Sequence, residues 1–134
     1  MRTNEFVVAR THMDFLNKIF GLSLGGYQRS CKKLEDGKLL WMIPLGYFIS
    51  KAGWRNYLET PDKIIEEHVE HEYAYQNHHT YVGSGKEFED RVVFDFIEYG
   101  NTRKYVFRGV FRLDKEKSIL HRNVWYKISD KYNF

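Results

Sequence analysis

The sequence predicts an α+β fold, an antiparallel sheet of five or six strands able to curl into a small barrel, with two helices. Three observations carry that expectation. The last third, Arg91 to Phe134, sets three apolar, β-forming runs around turn signals. Thr11 and Thr60-Pro61 each offer a helix start, and glycine-bearing turns punctuate the rest. At 134 residues the chain is expected to form one domain, 1–134, whose core needs no disulfide.

In chain order, residues 1–10 contain Phe6-Val7-Val8 and read as a flexible arm or an edge strand. Thr11 is an N-cap with Asp14 three positions on, and the apolar spacing from Met13 to Phe20 predicts a helix over 12–20, stopped by Gly21. Tyr27 to Lys33 reads as a short strand or basic loop before the turn Glu35-Asp36-Gly37-Lys38. Leu39 to Ile43 is apolar on both faces and ends at Pro44, which suits a central strand.

Trp54 to Leu58 begins a short turn or helix. Thr60-Pro61, followed by Asp62, Glu66 and Glu67, favours a second helix over 61–72, with a strand through Ile65, Val69 and Tyr73 as the competing pattern. Glu72 to Val82 is strand-like, and Gly83-Ser84-Gly85-Lys86 is a flexible turn. Val92–Tyr99, Lys104–Leu113 and Asn123–Ile128 are three strands, the first two joined at Gly100-Asn101. Period-two alternation in the middle one places Tyr105, Phe107, Phe111 and Leu113 on one face and Lys104, Arg108 and Arg112 on the other.

A composition 43% hydrophobic and 17% aromatic excludes a disordered chain. The lone Cys31 has no internal partner, and no N-terminal apolar segment reaches signal or membrane-spanning length, so a reducing cytoplasm and no membrane partner are expected. The net charge of +3 conceals blocks. Residues 1–58 hold nine Lys/Arg against four Asp/Glu, residues 59–72 hold Lys63 against six acids, and residues 91–134 hold ten against five. Two basic regions bracketing an acidic one can steer a polyanion to one face, although charge blocks also populate ordinary solvated faces.

Few strings point to catalysis. His68 and His71, with adjacent His78 and His79 beside Glu67, Glu70 and Glu72, lack a cysteine pair or zinc-type spacing, so no metal and no other cofactor is expected. Asp90, Asp95 and Glu98 lack the neighbouring lysine of a restriction-type nuclease core. Cys31 has no triad partners, and the glycine pairs match no phosphate loop. The chain is therefore read as non-enzymatic.

Aromatic residues interleaved with cations remain. Rings stack on bases while guanidinium groups hold phosphate, a mixture suited to a nucleic-acid surface or a pocket for one extruded base. Large aromatics also fill small cores, so each tryptophan could be core instead.

The strings Trp41-Met42-Ile43, Gly53-Trp54-Arg55-Asn56, Tyr105 to Phe111 and Arg122 to Ser129 resemble the small β-rich accessory domains beside nucleases in bacterial restriction and defence proteins. Those domains are similar to PUA-like and SRA-like barrels that read modified bases. The resemblance implies an aromatic pocket for a flipped base, with Trp41, Trp54 and Trp125 as walls. Cleavage would fall to a partner nuclease, since this sequence shows no nuclease module.

The expected function is nucleic-acid binding, to DNA or RNA, with reading of a modified or flipped base in bacterial or phage defence. Trp41, Trp54 and Trp125 would stack, Arg108, Arg112 and Arg122 would hold the backbone, and Arg55 is a further nucleic-acid-binding residue. The alternative is a protein-interaction module, an inhibitor or defence-system subunit using the acidic 59–72 segment.

Overall fold

A computed structural model describes residues 1–26, 29–46, 50, 53–70 and 80–134. The elements run β1 (Phe6–Ala9), α1 (His12–Phe20), β2 (Cys31–Lys33), β3 (Leu39–Ile43), β4 (Trp54–Thr60), β5 (Lys63–His68), β6 (Arg91–Tyr99), β7 (Thr102–Leu113) and β8 (Arg122–Ser129). The strands form one sheet in the order β2-β3-β6-β7-β8-β5-β4, and β1 pairs with β7. Eight strands among the described residues replace the expected five or six. The sheet is mixed, because β3 and β6 run parallel, and among the described residues it does not close into a barrel.

It is nevertheless rolled. Trp41 on β3 and Trp125 on β8 have ring centroids 5.8 Å apart, although β6 and β7 lie between them in the sheet. Register shifts in the β4/β5, β6/β7 and β7/β8 pairs supply the extra twist that such rolling needs.

Helix α1 forms as its signals dictate. The Thr11 hydroxyl accepts the Asp14 N–H at 3.2 Å, the Asp14 carboxylate accepts the Arg10 N–H at 2.9 Å, and Gly21 closes the helix in the left-handed region at φ 62°. The helix buries Phe15 and Leu16 on the outer face of the sheet, where Phe15 stacks on Tyr105 at 4.2 Å and meets Phe94 edge-on at 4.8 Å. Such pairs contribute roughly 0.5–1.5 kcal/mol beyond area burial. His12 at the helix start shares a 2.8 Å hydrogen bond with the Tyr105 hydroxyl.

The second helix is corrected. Thr60-Pro61-Asp62 is a hairpin turn, and Lys63–His68 is a strand flanked by β4 and β8. Proline is as well suited to the second position of a turn as to the first turn of a helix. Adjacent Ile64 and Ile65 are both buried, as a strand covered on two sides requires, and the long-range pairing overrides the local dipole signal. Residues 54–58 are likewise strand rather than turn or helix. Residues 1–10 contain a paired strand, β1. Of the Glu72–Val82 segment, 72–79 lies outside the described residues, as do Tyr27, Gln28 and Tyr73.

The expected facing of β7 is also corrected. Val93 pairs with Gly109, and the next pair is Phe94 with Phe107, so one residue is inserted in β7. That insertion reverses the alternation. Tyr105, Phe107 and Val110 pack outward beneath α1, whereas Phe111 and Leu113 pack inward with Trp41, Ile43, Ile64, Val93 and Trp125. Arg108 and Arg112 therefore do not share a face. Gly109 permits the bulge: its φ is 119°, and a Cβ would lie 2.8 Å from the Ser129 carbonyl oxygen.

Gly109→Ala is accordingly expected to lower stability by at least about 1–3 kcal/mol. Thermal melting checks it, and an unchanged midpoint would mean that β7 runs without the bulge. A second test concerns His12, whose pKa burial, and then nearby Arg103, lower from 6.5 to about 4. The unfolded chain takes up the proton first, so stability should fall as pH drops from 6.5 towards 4. After discounting for partial exposure the loss is about 1–2 kcal/mol. Denaturant titrations of wild type and His12→Gln across that window should diverge, the variant losing less.

Candidate nucleic-acid interface

Inside the roll, strand alternation stacks three rows across β4 and β5, two of which continue onto β8. Trp54 faces His68, Asn56 faces Glu66 which faces Asn123, and Leu58 faces Ile64 which faces Trp125. The middle row is polar. Asn123 Nδ2 donates to Glu66 Oε1 at 3.0 Å and to the Thr80 carbonyl at 2.7 Å, and the Trp125 indole N–H donates to the same Glu66 oxygen at 3.3 Å.

Across the interior from this row stands Arg91, the first residue of β6. Its guanidinium carbon lies 4.2 Å from the Trp41 ring centroid and 4.1 Å from that of Trp125, and Nη1 is 3.6 Å from Glu66 Oε2. Arg91 is only 5% exposed. A guanidinium tolerates this position because it is weakly hydrated, stacks on rings and is paired with a carboxylate.

Beside this cluster opens a cavity of about 710 Å³, lined by Trp41, Trp54, Asn56, Glu66 and Arg91, with Cys31, Arg29, Thr80, Lys86 and Glu89 among its other walls. Trp54 is half-buried and meets the His68 ring edge-on at 4.8 Å. Gly53 makes that contact possible, since a Cβ there would sit 2.7 Å from the imidazole. Asn56 Oδ1 is buried in the wall and accepts no hydrogen bond among the described residues. Burial is the leading cause that holds the Cys31 thiol above its ordinary pKa, in the neutral form.

The structure thus brings Trp41 and Trp54 to one cavity and places Trp125 fully buried behind them. The cations named from sequence go elsewhere. Arg55 pairs with Glu67, and Arg122 lies 3.7 Å from both Glu67 and Glu59, on the side of β4 and β5 away from Trp54 and Asn56. Arg108 binds Asp95 at 3.0 Å, and Arg112 grips Asp90 with two bonds of 2.9 and 3.0 Å. Four acids of the 59–72 stretch are paired: Glu59, Glu66 and Glu67 meet Arg122, Arg91 and Arg55, and Asp62 meets Lys127 at 3.4 Å.

Sequence reasoning missed Arg91, Glu66, Asn56 and Asn123. The parity of Arg91 with Val93 was a usable sign, since it puts a cation on an apolar strand face. Among the described residues no His, Cys, Asp and Glu group gathers as a metal site; His71, His78 and His79 lie outside them. No helix among the described residues is long and apolar enough to cross a membrane.

The sheet is rolled and mixed, with a helix outside and an aromatic, polar-edged cavity inside. The SET and RING associated (SRA) domain family matches residues 1–134, and the chain belongs to that family. Domains of this kind bind DNA, which is the coarse function of this chain. Among solved structures, one titled the 5-hydroxymethylcytosine-specific restriction enzyme AbaSI is similar, with TM-score 0.67 and 21% identity over 92% of this chain. That likeness is one of fold, and the chain spans 39% of the enzyme's length. No curated protein matches the chain.

Removing Arg91 takes its cation from the largely buried Glu66 carboxylate, which keeps only its neutral donors Asn123 and Trp125. Arg91→Met is therefore expected to cost about 3–5 kcal/mol, against less than about 1 kcal/mol for exposed Arg112→Ala. Urea denaturation of both variants compares them, and equal small losses would mean that water reaches the Arg91 site.

Proposed function

We propose that this domain binds duplex DNA and draws one modified base out of the stack into the cavity between Trp41 and Trp54. The observation that carries the reading is the cavity itself. Its size is in the range of small-ligand sites, two of its walls are indoles, and polar groups from β4, β5 and β6 line it. An extruded base is recognised by stacking and by hydrogen bonds to its edge. Trp54, half-exposed, supplies a stacking surface, while Asn56, Glu66 and Arg91 present acceptors and a donor to the ring edge.

A modified cytosine is the favoured ligand. An acidic side chain accepts from the cytosine amino group, and the similar restriction enzyme is titled for 5-hydroxymethylcytosine. In this reading the chain recognises and does not cut, and a role in restriction or defence depends on a nuclease partner. The acidic-surface alternative is less favoured, because Glu59, Asp62, Glu66 and Glu67 each lie against one of this chain's own cations.

Fluorescence-anisotropy titrations with duplexes carrying a single cytosine, 5-methylcytosine or 5-hydroxymethylcytosine test the proposal. One modified duplex should bind at least tenfold tighter than the unmodified one; equal affinity for all three would contradict it. Trp54→Ala should then lose roughly 1–3 kcal/mol of binding, the worth of one stacked base, and keep its fold. Trp125→Ala should instead lose about 3–5 kcal/mol of stability through the hole it leaves.

A further inference from the structure

A base lodged in the cavity leaves its phosphates outside, at the mouth, where charge must meet them. Several cations of this chain, inside the cavity and beyond it, are already committed. Arg91 faces Glu66, Arg108 faces Asp95, Arg112 faces Asp90, and Lys33 holds Glu89 at 2.9 Å. For any of these to bind phosphate, an existing ion pair would have to break.

Arg29 and Lys86 differ. Both line the cavity, both are exposed, and neither makes an ion pair among the described residues. Their positions are also built. The carboxylate of Glu87, itself buried, accepts the N–H groups of Gly83 and Gly85, the latter at 3.0 Å. The Ser84 hydroxyl accepts the Tyr81 and Lys86 N–H groups at 3.2 Å and donates to the Tyr81 carbonyl at 2.7 Å. Gly83 and Gly85 sit at φ 97° and 85°, which other residues rarely adopt. The Gly83-Ser84-Gly85-Lys86 segment is therefore a loop fixed around an internal carboxylate. Next to Arg29, the Ser30 carbonyl accepts the Met42 N–H at 2.7 Å, which ties that segment to β3.

We propose that Arg29 and Lys86 form a phosphate clamp at the mouth of the cavity and hold the backbone of the nucleotide whose base enters it. The clamp rests on the base-pocket reading above. It assigns affinity to two cations that bear no sequence information, and discrimination to the groups inside.

The test is a salt series on duplex binding for wild type, Arg29→Gln, Lys86→Gln, the double variant, and Arg112→Gln as a paired-cation control. Each phosphate contact removed should flatten the slope of log affinity against log salt by about 0.9. The double variant should flatten it by about twice that, with the ratio of modified to unmodified affinity unchanged. Arg112→Gln should leave the slope alone. An unaltered slope in the double variant would overturn the clamp, and so would a collapse of the modified-base ratio at constant slope. If wild type shows no modified-base preference, the base-pocket reading fails; the slopes still report whether the two cations touch phosphate. All substituted side chains are exposed, and unchanged melting temperatures verify the fold.

Discussion

Arg91 is the side chain on which the interior of this domain depends. Rolling a sheet without closing it leaves an inner volume that the strands cannot fill with apolar side chains alone. Here the volume is shared between a small apolar cluster and a cation stacked between two indoles. Because Arg91 comes from β6 and Glu66 from β5, their pairing spans strands separated in the sheet by β7 and β8. A buried ion pair of this kind adds little net stability, since desolvation offsets most of the attraction. What it supplies is placement: it fixes Trp41, Trp125 and the Glu66 carboxylate relative to one another, and so shapes the cavity wall.

The same economy of charge governs the surface. A chain with blocks of opposite sign folds so that most blocks cancel, and the arginines of β4, β7 and β8 end on carboxylates. A low net charge after cancellation leaves a few cations whose charge is not matched, and their location carries more information than the total. Two of them line the cavity walled by Trp41 and Trp54. Long-range attraction for a polyanion then comes from the net field, while contact is made by the unmatched pair.

Much of the framework was legible in the sequence. The capping residues Thr11 and Asp14, the stop at Gly21, the central run Leu39 to Ile43 and the hairpin at Gly100-Asn101 are local signals, and local signals decide local structure. What escaped is non-local. The strand Lys63–His68 depends on neighbours contributed by β4 and β8, and the parallel union of β3 with β6 joins segments nearly fifty residues apart. The bulge at Gly109 inserts one residue and turns Phe111 to the opposite side from Phe107, so a face assigned by simple alternation inverts midway. The sequence groups the tryptophans together, and the structure separates them by depth: Trp125 is sealed, Trp54 is half-open. Arg91 hid because a cation at a strand start usually faces water.

The central claim is that the target base enters the cavity walled by Trp41 and Trp54. Photocrosslinking locates it most directly: a duplex with 5-iodocytosine at the target position is irradiated in complex with the protein, and the modified peptide is mapped by mass spectrometry. Entry into the cavity places the adduct on Trp41 or Trp54. An adduct on the outer face, at α1 or around Tyr132, would show that DNA is read from the other side of the sheet.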